Sequence, residues 1–339
     1  MINKRSEINH FEAVMGYHSK NNYRDGWLFK HKNMISEIQL HTYVNVLRDN
    51  GISIENVLDW FFKEYLKEEF GIEDFYLNFP SESTTYIEKC KIIAPEIESA
   101  LRQYNLLVED GCIDRDLLRM SSTPMSFSNC KSYLKNKYAY PDSNEFNRIC
   151  YYFFSDQCML SYIEKLKNKY KCFFDLIAKE KIQYDDYLDY QKRDLDWLLS
   201  NDYLSISNEN DLMIKDLLKI RIMKDIYQNE EICFANVSVK IQDKIEELVE
   251  SGILSTGEGL FSRNEVHYFN YNLNKSEFGN ALDLRNMYVH GCFQNDVENS
   301  EIHKYNYYIF IKLIILIIIK INDELCNIKP ALDSAVRAG

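Results

Sequence analysis

The most apolar stretch of the chain, Tyr307 to Ile319, lacks the polar stripe of a surface helix: Lys312 interrupts it and Lys320 closes it. Its unbroken part falls short of the roughly 20 residues a bilayer core requires. A helix apolar on every side is also what the centre of a bundle needs, so the run predicts a buried core or dimer-interface helix. Helical spacing continues through Leu40 to Phe70, with a break at Asn50-Gly51. Asn144 to Lys181 reads as one or two long helices, with Phe153, Phe154, Met159, Tyr162, Ile163 and Leu166 at core positions. Three segments pair an amphipathic helix with a short hairpin. In Ile241–Tyr271 the helix face is Ile245, Leu248 and Val249, and Gly257-Glu258-Gly259 turns the chain before an alternating run, Val266 to Tyr271. In Leu195–Ile214, strand residues Tyr203-Leu204 and Ile206 precede a turn at Asn208-Glu209-Asn210. Ile97–Leu118 repeats the pattern more weakly, with its turn at Glu109-Asp110-Gly111.

These elements predict a mainly α protein. Residues 1–125 form a helical sensor or docking domain, 126–215 a helical middle region, and 216–330 a C-terminal helical bundle, while 331–339 read as a tail or fusion scar. Ser121 to Ser128 is the most loop-like run and marks the first boundary. A helix ending in a two-stranded wing resembles a winged-helix module, which binds nucleic acid or docks proteins. The presumptive recognition helices are acidic (Asp243 to Glu247, and Arg193 to Asp196), which favours docking over groove reading.

Composition agrees with helix: 339 residues carry 11 Gly and 5 Pro, and 25 Tyr with 19 Phe point to an aromatic interior. The net charge of −12 argues against broad affinity for nucleic acid. Two local basic clusters interleave with aromatics: Lys131, Lys135 and Lys137, and the substrate-binding candidates Lys165, Lys167, Lys169 and Lys171. Charge with stacking suits single-stranded RNA, although a solvated helix face is the simpler explanation of either cluster alone. Nine single cysteines without a C-x-x-C pair, and no signal peptide, predict a cytoplasmic protein with free thiols. His10, His18, His31 and His41 match no zinc-ligand spacing. The acidic run from Asp185 to Asp196 reads as a solvated surface, so no metal or cofactor is expected.

The densest chemistry is Leu284-Arg285-Asn286-Met287-Tyr288-Val289-His290-Gly291. Ser276 to Asn286 reads as a helix start and body, and Gly291 as the left-handed residue that closes it. His290 then sits in the last turn, where the dipole favours imidazolium, and Asn286 shares its face. Arg285, Asn286 and His290 resemble the arginine–four-to-six–histidine signature of HEPN domains, including the polar residue after the Arg and the glycine after the His. The position where antitoxin-paired members carry Tyr is Cys292 here, which points away from that form of control.

The resemblance implies a helical, homodimeric, metal-independent endoribonuclease with a composite site, set in bacterial anti-phage defence or a toxin system. His290 is then the general acid or base, Arg285 the phosphate ligand and Asn286 an orienting group. The products are a 2′,3′-cyclic phosphate and a 5′-hydroxyl, and the partners are RNA, a second copy and a regulatory protein or phage trigger, with no membrane. The alternatives are a noncatalytic regulator that binds nucleic acid or a partner through the winged units, and a membrane-associated effector using Ile309 to Ile319.

Overall fold

The computed structural model describes residues 21–120, 125–167, 169–291 and 300–338. Along the chain, α1 (Trp27–Asp49) is followed by α2 (Ile54–Trp60), a π turn (Phe61–Tyr65) and α3 (Leu66–Phe70). Next come α4 (Tyr86–Asp110), α5 (Arg115–Met120), β1 (Tyr138–Pro141), α6 (Asn144–Phe154), α7 (Phe173–Lys179) and α8 (Asp189–Ser200). The hairpin β2 (Leu204–Ile206) and β3 (Leu212–Ile214) leads to α9 (Leu217–Asn229), β4 (Ile232–Cys233), α10 (Val239–Glu250) and β5 (Leu254–Gly257). Then α11 (Arg263–Leu273), α12 (Leu284–Val289) and α13 (Ser300–Ala338) complete the order. The protein is mainly helical, as its hydrophobic pattern predicts.

The chain divides into two compact units, the first made of residues 1–137 and 258–339, the second of 138–257. The sequence reading placed consecutive domains at 1–125, 126–215 and 216–330; the observed division instead inserts one unit inside the other. Sequence order carries no sign of this, because the pairing that closes the second unit joins residues far apart in the chain. Tyr138 pairs with Gly257 and Pro141 with Leu254, antiparallel, and β4 lies on the other side of β1.

In the first unit, α4 and α13 pack along each other. Ile93, Ile97, Leu101 and Tyr104 of α4 and Phe310, Ile314, Ile317 and Ile321 of α13 are almost wholly buried. The Tyr307–Ile319 run therefore lies within a core helix, and among the described residues no helix is long and apolar enough to cross a membrane. Its lysine is accommodated by ion pairing: Lys312 Nζ donates to Glu37 Oε1 at 2.6 Å and to Asn33 Oδ1 at 3.2 Å.

In the second unit, Phe153, Phe173, Leu176, Leu195, Leu198, Met223, Ile226 and Ile245 form a separate core. The β2–β3 hairpin follows α8 as the pattern predicts, with Leu204 opposite Ile214 and Asn210 at φ +67° in the turn.

Three local expectations fail. Val266 to Tyr271 is helical, not a strand. Ser262 and Glu265 form a capping box that starts α11, and Val266, Phe269 and Leu273 then fall on one buried face. Ile97–Leu118 forms no hairpin; α4 runs to Asp110 and Gly111 ends it at φ +73°. Asn144–Lys181 is not long helix. Ser155 turns the chain after α6, its hydroxyl accepting from Gln157 N–H at 3.1 Å, a local bond that competes with helical continuation.

Candidate functional site

The predicted motif helix is shorter than its spacing suggests. α11 ends at Leu273, Asn274 turns the chain by accepting from Ser276 N–H at 3.1 Å, and Asp283 takes a left-handed φ of +58°. α12 begins at Leu284, so Ser276 to Asp283 is loop rather than helix. The loop is tied down by Asn280, whose amide makes two bonds with the backbone of Tyr23, at 2.8 and 3.1 Å. α12 packs on α4 through buried Leu284 and Tyr288. At its far end His290 N–H donates to Asn286 O at 3.1 Å, Gly291 takes φ +66°, and the His290 side chain is exposed.

Arg285 and Asn286 are both engaged within the fold. Arg285 Nη2 donates to Glu98 Oε2 of α4 at 2.8 Å, with the arginine side chain 34% exposed. The other carboxylate oxygen, Glu98 Oε1, accepts from Arg102 Nη2 at 2.6 Å and from Met125 N–H at 3.1 Å. Burial alone would raise the Glu98 pKa, but the Met125 N–H and the two guanidinium groups outweigh it and hold the carboxyl below its ordinary range. Asn286 Nδ2 donates to Asp283 Oδ1 at 2.8 Å. The amide thus fixes the start of α12, a more local role than orienting an imidazole.

Behind α12, Tyr288 anchors a small polar cluster. Its hydroxyl accepts from Asn306 Nδ2 at 2.9 Å and is placed to donate to His303 Nδ1 at 2.7 Å. The Cys90 thiol donates to His303 O at 3.4 Å, and burial pushes its pKa up to about 12, which keeps it a thiol. Burial also raises Tyr288.

Glu98 and His303 went unrecognised in the sequence. Glu98 and Arg102 are four apart on an amphipathic helix, a visible pair, but their approach to Arg285 spans 187 residues of chain. His303 sits on α13, and nothing in its surroundings along the chain announces Tyr288.

The lysine candidates lie in the second unit and do not share a helix face. Lys165, Lys167 and Lys169 occupy the irregular stretch between α6 and α7, and Lys167 takes a left-handed φ of +46°. Lys165 is paired with Asp186, and Lys169 with Glu180 at 2.7 Å; Lys167 and Lys171 are exposed. In the other cluster, Lys137 is buried and paired with Glu324, so it faces no solvent groove, and Lys131 is paired with Glu109. Of the early histidines, His31 stacks on Trp27 and His41 lies against Tyr308, while His10, His18 and also Cys292 lie outside the described residues. Asp194 and Asp196 accept from Tyr152 and Tyr184 hydroxyls at 3.0 and 2.7 Å. Among the described residues no group of three or more His, Cys, Asp or Glu is disposed to hold a metal ion. No family model, curated protein or solved structure matches this chain, so function rests on the geometry of the site.

Proposed function

We propose that the protein is a metal-independent endoribonuclease of the HEPN type, acting as a homodimer in which Arg285 and His290 of each copy contribute to a composite site. The observation that carries this is α12 itself. It is a six-residue helix fixed on α4, with a partly exposed guanidinium anchored near its start and an exposed imidazole at its end.

In this reading His290 removes the proton of an RNA 2′-hydroxyl. The 2′-oxygen bonds to phosphorus, the P–O5′ bond breaks, and an imidazolium returns a proton to the leaving oxygen. The guanidinium has five N–H donors; one is committed to Glu98, and others serve the developing charge on the phosphorane. Anti-phage defence or toxin action, a cytoplasmic location, and a protein or phage trigger belong to the same proposal.

Purified protein should cut RNA in the presence of EDTA and leave 2′,3′-cyclic phosphate ends, and His290→Ala should abolish cutting. The side chain is exposed, so the variant should keep its unfolding free energy within about 0.5 kcal/mol of wild type. Cleavage that persists in a folded His290→Ala protein would sink the mechanism.

A second reading is favoured by α8 and the β2–β3 hairpin, which expose Leu188, Tyr190, Ile206 and Met213. Exposed apolar side chains near an acidic helix suit a protein partner better than DNA. A noncatalytic regulator docking there predicts that Met213→Asp, not His290→Ala, abolishes the biological effect.

A further inference from the structure

The second unit carries an exposed apolar surface that its own core does not use. Tyr151 near the end of α6, Met159 in the helical turn Met159–Ser161, and Leu188 and Tyr190 at the start of α8 are 45%, 50%, 52% and 59% exposed. Buried polar bonds hold these segments together. Gln191, itself 2% exposed, donates its amide to Met159 O at 2.7 Å and Tyr162 O at 2.9 Å, and its Oε1 accepts from Leu188 N–H at 3.0 Å. The Tyr187 hydroxyl donates to Leu160 O and the Tyr152 hydroxyl to Asp194 Oδ1, each at 3.0 Å. Tyr190 lies one turn before Asp194 on α8, so α6, the turn and α8 present one surface. Trp197 extends it, with the Arg148 guanidinium 4.1 Å from its ring centroid and the Tyr152 ring at 5.6 Å.

The charges around this surface favour one kind of partner. Residues 144–165 and 184–196, which form it, carry eight carboxylates against four cations. Of the cations, Lys165 is paired with Asp186, Lys192 lies within 3.9 Å of Asp185 and Asp189, and Arg148 is spread over Trp197. The excess negative charge repels nucleic acid and anionic lipid alike, and it complements Lys and Arg on a protein. Tyr, Trp and Met are the side chains enriched at the centres of protein interfaces, where a few apolar anchors carry most of the affinity.

We infer that this surface docks a basic amphipathic helix of a partner protein, with its apolar stripe on Tyr151, Met159, Leu188 and Tyr190 and its Lys or Arg residues over the surrounding carboxylates. Such docking rests on the second reading in placing a partner on the second unit. It seats that partner on α6 and α8 rather than on the β2–β3 hairpin, and it does not involve Arg285 or His290.

Fluorescence anisotropy with the full-length protein tests this, using a labelled Leu/Lys peptide patterned as an amphipathic helix and its Leu/Glu counterpart. The Leu/Lys peptide should saturate a single site and the Leu/Glu peptide should not bind. Met159→Ser and Tyr190→Ser, at exposed positions, should keep the wild-type melting temperature and each weaken binding roughly tenfold or more. Glu246→Gln with Glu250→Gln, on the exposed face of α10, removes negative charge outside the surface and should change affinity less than about twofold. No binding, equal binding of both peptides, or unchanged affinity in Met159→Ser and Tyr190→Ser overturns the assignment. Loss of binding in Met213→Asp with those two variants unaffected would leave a partner on the hairpin and remove this site alone. A change of oligomeric state in Tyr190→Ser would give the surface to a second copy, and displacement of the peptide by oligo(U) would give it to RNA.

Discussion

At the scale of single residues, Glu98 organises the candidate site. It joins two arginines and a backbone N–H, and it is what holds the Arg285 guanidinium in place. Glu98→Gln keeps an acceptor for Met125 but removes the charge. It should lower stability by roughly 1–2 kcal/mol, a figure reduced because Arg285 is partly exposed. The pH dependence follows from the direction of its shift. The folded carboxyl titrates below its unfolded value, so its contribution is complete above the unfolded pKa and disappears as pH falls through the folded one. Urea unfolding of wild type and variant should therefore show a gap at pH 7 that closes in acid. A gap independent of pH would exclude the charge as its source.

At the scale of elements, a buried ion pair ties the segment before β1 to the core helices. Lys137 Nζ pairs with Glu324 of α13 and donates to Leu260 O at 3.1 Å. Glu324 Oε1 accepts from the Tyr104 hydroxyl of α4 at 2.9 Å and from Tyr133 N–H at 2.6 Å. Lys137→Met would leave a carboxylate buried without its cation and should cost about 3–5 kcal/mol. Adding Glu324→Gln, which keeps an acceptor for Tyr104 and Tyr133, should recover most of that loss. A double variant no more stable than the single one, measured by chemical denaturation, would show that charge is not the issue.

At the scale of the molecule, residues 138–257 have their own core and begin and end on the paired strands β1 and β5. Because its termini meet in an antiparallel ladder, this segment should fold by itself. Expressed alone, it should melt cooperatively and give a dispersed NMR spectrum. A molten spectrum would mean that the compact unit is not a folding unit.

Periodicity made several features legible in the sequence. The apolar Tyr307–Ile319 run predicted a core helix, Gly291 predicted the end of the motif helix, and the turn residues 208–210 predicted the β2–β3 hairpin. Each is fixed by neighbours within a few residues, through local backbone preference or a one-sided hydrophobic pattern. Other features were decided only when distant segments met. Lys137 looked like part of a basic groove until Glu324 neutralised it, the Glu98 partner of Arg285 was invisible across 187 residues of chain, and the inserted unit emerged only when β1 paired with β5. An ion pair or a strand ladder depends on distance in space, and linear order does not encode that until the core has formed.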